Sequence, residues 1–411
     1  MTTLQVLSVL FATAAIFGLI STRWLRLPLT VGTMLLTVLL SIALGAIGKL
    51  APGMHAWAFT FAAQIDFGSI ILHGMLPLLL FAGAFLLDVE QLAREKMAVS
   101  ILAFFGTIFS TFAVASLMFL FVGARFPWMQ CLIFGALISP TDPIAVLEML
   151  RRVGVSKTVQ AQLAGESLFN DGVGAVLFIG ALNLATGNGS SPIYIAGSMV
   201  AKPVGAILLA ILMAWVVSQL MRRVDAYQVD ILFTVALALG GYVLADLLHL
   251  SAPIEAVVAG IALRFFNRGQ PAHRVAHQHI SEFWAAIDEI QNSVLFVLLG
   301  MEVLVIQMDW TALHDGFAAI FAVNVVRLAA VAGLLGIIWL FRRNQQGSIL
   351  ILTWGGLRGG LSIALALSVP PALGRSWMLG ATYLVVVFSI LLQGSSMKWL
   401  LHHLHAHKQA A

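Results

Sequence analysis

The sequence predicts an all-α polytopic membrane protein of about thirteen transmembrane helices, with its N-terminus outside and its C-terminus inside. Three observations carry that prediction. Apolar residues make up 60% of the chain and charged residues only 10%, whereas a soluble domain carries about 25% charged residues to cover its water-facing surface. Apolar runs of membrane-crossing length follow one another from end to end, and the basic residues between them alternate from dense to sparse. The bilayer is the solvent in which so little charge suffices.

A helix crosses the hydrocarbon core with roughly 20 predominantly apolar residues. By that ruler the spans run over residues 3–21, 29–48, 67–87, 97–122, 128–149, 165–186, 193–221, 229–249, 252–266, 281–306, 310–341, 348–370 and 376–401. The first lacks the basic start and the small-residue cleavage site of a signal peptide, so it counts as a span. The eleventh is too long for one upright crossing and is expected to tilt or to project into water. Together they form a single integral membrane domain over 1–408: a first repeat over about 3–186, a linker helix over about 193–221 and a second repeat over about 229–401. Residues 402–411 make a short cytoplasmic tail.

The distribution of Lys and Arg tests this count, because basic residues concentrate on the cytoplasmic side. Alternating the loops places sixteen basic residues on one side and only Lys49, Arg125 and Arg375 on the other. A missed or invented span would scramble the alternation beyond it. The net charge of +4 thus reflects membrane topology rather than nucleic-acid binding, and the single cysteine, Cys131, rules out an intrachain disulfide framework.

Three basic residues, Lys202, Arg327 and Arg358, fall inside spans, and Asp142, Glu148, Glu166, Asp171, Asp246 and Glu255 lie within spans or near their ends. Intramembrane charge is costly and marks a pathway, a relay or a pair. In the fifth span, Pro140 and Pro143 bracket Thr141-Asp142. Each proline removes a backbone donor and crowds the preceding turn, so the helix breaks. Such a break survives at membrane depth only in protein or beside a wet cavity. It offers the Thr141 carbonyl and hydroxyl and the Asp142 carboxylate as hard oxygen donors for an alkali cation. The competing reading is a proline kink with a solvated acid.

The sixth span opens Gly165-Glu166-Ser167-Leu168-Phe169-Asn170-Asp171-Gly172. Residues four apart share a helix face, so Ser167 stacks with Asp171 and Glu166 with Asn170. A carboxylate taken out of water there holds a proton or a cation, hardly both. The competing reading is an acid pair favoured by the dipole at a helix start, which suits Glu166 better than Asp171. The twelfth span reads Thr353-Trp354-Gly355-Gly356-Leu357-Arg358-Gly359-Gly360-Leu361-Ser362. Four glycines weaken the helix around Arg358. Six spans, a connector and six more put the fifth and twelfth in matching slots of two inverted repeats, the transporter arrangement of crossed broken helices. Arg358 would offset the facing carbonyl ends, unless the glycines simply make a packing face with a snorkelling arginine.

These segments resemble the cation/proton antiporters of the NhaP/NHE type, in their bacterial form. Ser139-Pro140-Thr141-Asp142-Pro143 and Gly165 to Asp171 match that family's two acidic signatures, and Asn324-Val325-Val326-Arg327-Leu328 and Gly355 to Gly360 match two more. The resemblance covers essentially the whole chain. It implies secondary antiport of Na⁺ or Li⁺ against H⁺ across the cytoplasmic membrane, in the service of sodium and pH homeostasis. It also implies a homodimer in membrane lipid, in which a core slides against a dimerisation domain. Asp171 would bind cation and proton in turn, with Ser167, Thr141, Asn170 and Asp142 around it. Glu166 and Arg327 would form a structural ion pair. Asn170, where other branches have a second aspartate, implies electroneutral one-for-one exchange.

Two departures stand out. Ala82 occupies the place where many relatives carry an acid in the third span, which leaves ion selectivity open, and a long regulatory tail like that of animal exchangers is not expected. A K⁺/H⁺ antiporter of the same fold is the nearest alternative, and a cation channel a more distant one. No spans carry a nucleophile with its base or a His-Glu-x-x-His motif, and no phosphate-cradling loop appears, so neither an enzyme nor a cofactor is expected. His273, His277 and His279, and His402, His403, His405 and His407, read first as solvated clusters and second as a cytoplasmic pH sensor.

Overall fold

In a computed structural model of the chain, the described residues are 3–47, 68, 70–187, 192–224, 226–268, 274–302, 310–341 and 348–409. Among them no strand occurs, and every expected span has a helical counterpart. The helices that matter below are α1 (Thr3–Ile20), α2 (Leu29–Ile47), α3 (Leu76–Leu86), α4 (Thr107–Val122), α5 (Trp128–Ile138), α6 (Ile144–Val153), α7 (Lys157–Thr186) and α8 (Pro192–Met221). They continue with α9 (Tyr227–Leu247), α10 (Ala252–Phe266), α11 (Arg274–Met301), α12 (Trp310–Phe341), α13 (Ser348–Gly355), α14 (Gly360–Ser368), α15 (Arg375–Phe388) and α16 (Ser395–Gln409). Among the described residues eight helices are long and apolar enough to cross a membrane alone, and the pair α13 and α14, bent by 46° at its break, makes a ninth if counted as one span. Lys49 and the ends of the expected third and tenth spans lie outside the described residues.

Some helices outrun their apolar stretches. α7 starts at Lys157, eight residues before the predicted edge, with Ser156 accepting the Val159 amide at its start. Hydropathy misses these turns because they are buried in protein rather than lipid: Gln162 is fully buried and donates to Glu95 at 2.9 Å. Glu166 and Asp171 therefore lie well inside the helix, which removes the helix-start reading of the acid pair. α11 likewise begins at Arg274, and α16 carries the expected tail onward as helix to Gln409. α12 is one helix of 32 residues. At 1.5 Å per residue that is about 48 Å, longer than the hydrocarbon core.

Contacts between helix ends support the alternation of sides. Arg125 pairs with Asp315, and Trp377 donates to Gln130 at 3.2 Å, all on the side predicted to be poor in basic residues. Arg268 pairs with Glu90, and Arg222 donates to the Phe266 carbonyl at 3.1 Å, on the opposite side. The helices pack into two groups. One joins α2, α3, α8, α9, α10 and α11; the other joins α4, α5, α7, α12, α14 and α15. The functional cavity lies at the seam between them.

Candidate functional site

The fifth span breaks as its prolines require. α5 ends at Ile138, α6 begins at Ile144, and Ser139 to Pro143 run without helical bonds. The four-residue break Gly356 to Gly359 interrupts the twelfth span. The two breaks meet: the Asp142 amide donates to the Leu357 carbonyl at 2.7 Å. Arg358, 2% exposed, reaches across and donates through Nη1 to the carbonyls of Ser139 and, at 2.8 Å, Pro140. Those carbonyls close α5 and carry the negative end of its dipole. A fixed cation there offsets partial charge that no water reaches. The Asp142 carboxylate in turn accepts the Ile144 amide at 3.1 Å, covering the positive start of α6.

Side chains from α7 hold the break in shape. Ser167 Oγ donates to the Thr141 carbonyl at 2.5 Å. Asn170 brackets Thr141, accepting its amide at 3.2 Å and donating to its hydroxyl at 2.8 Å. One turn from Ser167, Asp171 faces a cavity of about 590 Å³ that it shares with Thr141, Asp142 and Ser167. The two aspartates lie close enough for their charges to repel. Asn170 is outside the cavity wall, its amide spent on Thr141. On the far side of α7, Glu166 and Arg327, 1% and 6% exposed, form a two-contact ion pair, with Arg327 Nη2 reaching Glu166 Oε2 and the Leu352 carbonyl, each at 2.9 Å.

Two glycines let these groups come together. A Cβ at Gly356 would meet the Arg327 guanidinium, and one at Gly359 would meet the Asp142 carboxylate. Gly359→Ala is expected to displace Asp142 and cut exchange by about tenfold or more, since small misplacements beside a reacting group are costly. A wild-type flux rate for that variant in liposomes would show that the close approach is dispensable.

The cavity also receives groups that sequence reasoning passed over. Asp288, Glu289 and Asn292 line it from α11, and Ser362 lines it from α14. Their signal was a helical i, i+4 spacing of Asp288 and Asn292 inside the expected tenth span. Ala82 is fully buried and adds no charge. Glu255 is also fully buried, packed against Gly241 and outside the cavity wall, and neither carboxylate oxygen has a hydrogen-bond partner. Asp246 is exposed on its helix and Lys202 is half-buried on its own. Of the histidines, His279 packs at a tilt against the Tyr227 ring and lies 3.7 Å from Glu282. His402 and His403 are exposed, while the side chains of His273, His277, His405 and His407 lie outside the described set.

The family profile described as "Sodium/hydrogen exchanger, transmembrane" matches residues 11–403. The chain belongs to the sodium/hydrogen exchanger family. This exchanger is 37% identical to the Na⁺/H⁺ antiporter NhaP of Pseudomonas aeruginosa, over 98% of this chain and 97% of that one. It is 32% identical to the Na⁺/H⁺ antiporter NhaH of Halobacillus dabanensis, over 82% of this chain and 84% of that one. Its fold matches the structure of the sodium proton antiporter MjNhaP1 from Methanocaldococcus jannaschii with a TM-score of 0.75, at 21% identity over 98% of this chain and 99% of that one. The family is one of transporters and not a class of enzymes.

Proposed function

We propose that this exchanger moves Na⁺ or Li⁺ against H⁺, one for one, with cation and proton competing for Asp171. The observation that carries the reading is the placement of Asp171 and Asp142 in one cavity beside two crossed, broken helices. Thr141, Ser167 and Asp142 supply hard oxygens around Asp171, and Asn170 shapes the Thr141 break rather than adding a second charge. A single titrating carboxylate passes one proton for one cation. Membrane potential then drops out of the equilibrium, and a tenfold proton gradient supplies about 1.36 kcal/mol per cation moved. The broken helices belong to two inverted repeats, and the packed helix groups on either side of the seam are the parts that move, within a homodimer.

Competition has a testable signature, because proton and cation weaken each other's binding reciprocally. Half-saturating Na⁺ is expected to rise by about tenfold per unit fall in pH once the protonated carboxyl dominates, at an unchanged maximal rate. A maximal rate that falls with pH at constant half-saturation would contradict competition at one site.

The same reading places the protein in the cytoplasmic membrane with Arg268 inside and Arg125 outside. Cys131 is buried, so it leaves single-cysteine variants with little labelling background. In intact cells an impermeant maleimide is expected to label Arg125→Cys and to spare Arg268→Cys. The reverse pattern would invert the protein, and labelling of both would break the alternation.

A further inference from the structure

One wall of the cavity carries chemistry that the Asp171 site does not use. α11 presents Asp288 and, one turn on, Asn292, whose Nδ2 donates to Asp288 Oδ1 at 3.2 Å. An ionised carboxylate only accepts, so this bond fixes which way the amide faces. Asn292 Oδ1 is left without a partner in a residue only 1% exposed. Ser362, also 1% exposed and lining the same cavity, has an unpartnered hydroxyl. Buried acceptors are ordinarily satisfied, and a carbonyl oxygen that is not marks a place for a donor or a cation.

The surroundings favour a cation. Asp288 lies within electrostatic reach of Asp142 and Glu289, and Arg151 is the one basic group among the described residues that acts on it. Carboxylate, amide and hydroxyl oxygens are the donors that hard, weakly bound ions take. A divalent ion would want more: among the described residues no three His, Cys, Asp or Glu side chains converge as a metal set. The position adds a direction. Asp288 and Asn292 stand on the helix group of α2 and α3, whereas Asp142 and Asp171 stand on or beside helices of the other group.

We propose that Asp288 and Asn292 form a staging site that holds the incoming monovalent cation across the seam from Asp142, one step before Asp171. This rests on the antiport reading above. The carboxylate concentrates cations in the cavity, and the Asn292 carbonyl replaces part of the water the ion sheds. Asp288 and Asn292 are thus positioning groups for the cation and take no part in proton exchange.

The test is Na⁺-dependent proton flux in liposomes for wild type, Asp288→Asn, Asp288→Glu and Asn292→Ala. Removing the charge is expected to raise half-saturating Na⁺ by about tenfold, the lower end of what a like-charged cleft gives, while the rate at saturating Na⁺ falls much less. Asp288→Glu should sit near wild type, and Asn292→Ala should shift half-saturation in the same direction as Asp288→Asn. Unchanged half-saturation in Asp288→Asn and Asn292→Ala overturns the staging site and leaves antiport intact. So does loss of the saturating rate at constant half-saturation. If Asp288→Asn fails to elute as a folded protein, the Glu and Asn292→Ala variants decide the matter alone. A wild-type protein without cation-dependent flux defeats the antiport reading and the staging site with it.

Discussion

Asp171→Asn is expected to leave the protein folded and to abolish exchange. The carboxylate lines the cavity one turn from Ser167 and faces open space there rather than a partner in the helix packing among the described residues. An amide of the same shape therefore keeps the packing of α7 while removing the group proposed to alternate between proton and cation. The expected loss is of the whole cation-dependent flux, because no other acid of the cavity sits on the Ser167 face. Melting behaviour in detergent should stay near that of wild type, since removing a half-buried charge that faces the cavity relieves desolvation rather than adding to it. Normal exchange by a well-folded Asp171→Asn protein would remove Asp171 from the centre of the mechanism.

The second large effect concerns stability. Glu166 and Arg327 pair in two contacts between α7 and α12, and Arg327 also closes on the Leu352 carbonyl at the end of α13. Three helices are joined through one guanidinium. Arg327→Ala strands the Glu166 carboxylate in a site 1% exposed, and breaking a buried pair from one side typically costs about 3–5 kcal/mol. The expected result is a clearly lower melting temperature in detergent, with part of the loss recovered in the Arg327→Ala, Glu166→Gln double variant because the stranded charge is gone. An unchanged melting temperature for the single variant would count against a structural role for the pair.

Much of this architecture was legible in the sequence because its causes are local. Pro140 and Pro143 break a helix wherever they sit, and the glycines around Arg358 weaken one, so both interruptions were visible without coordinates. The pairing of Glu166 with Arg327 was foreseen by resemblance, and the geometry bears it out. The contact that ties the breaks together, from the Asp142 amide to the Leu357 carbonyl, joins residues 215 positions apart in sequence by their numbers and has no local signature. Hydropathy also reports lipid contact rather than helix formation. It therefore missed the first turns of α7, where Gln162 is buried against Glu95. Asp288 and Asn292 lie inside the expected tenth span, in the short stretch 288–293 where polar residues outnumber apolar ones, and were passed over although their i, i+4 spacing was visible. The role of Asn170 changed most: a residue read as a cation ligand spends its amide on Thr141.

The most direct test of the central claim is proton flux from purified wild-type protein in liposomes, with Na⁺, Li⁺ or K⁺ added outside, with and without a clamped membrane potential. One-for-one antiport at Asp171 predicts flux that saturates with Na⁺ or Li⁺ and is indifferent to the potential. Flux that follows the potential, or that K⁺ alone supports, would contradict it.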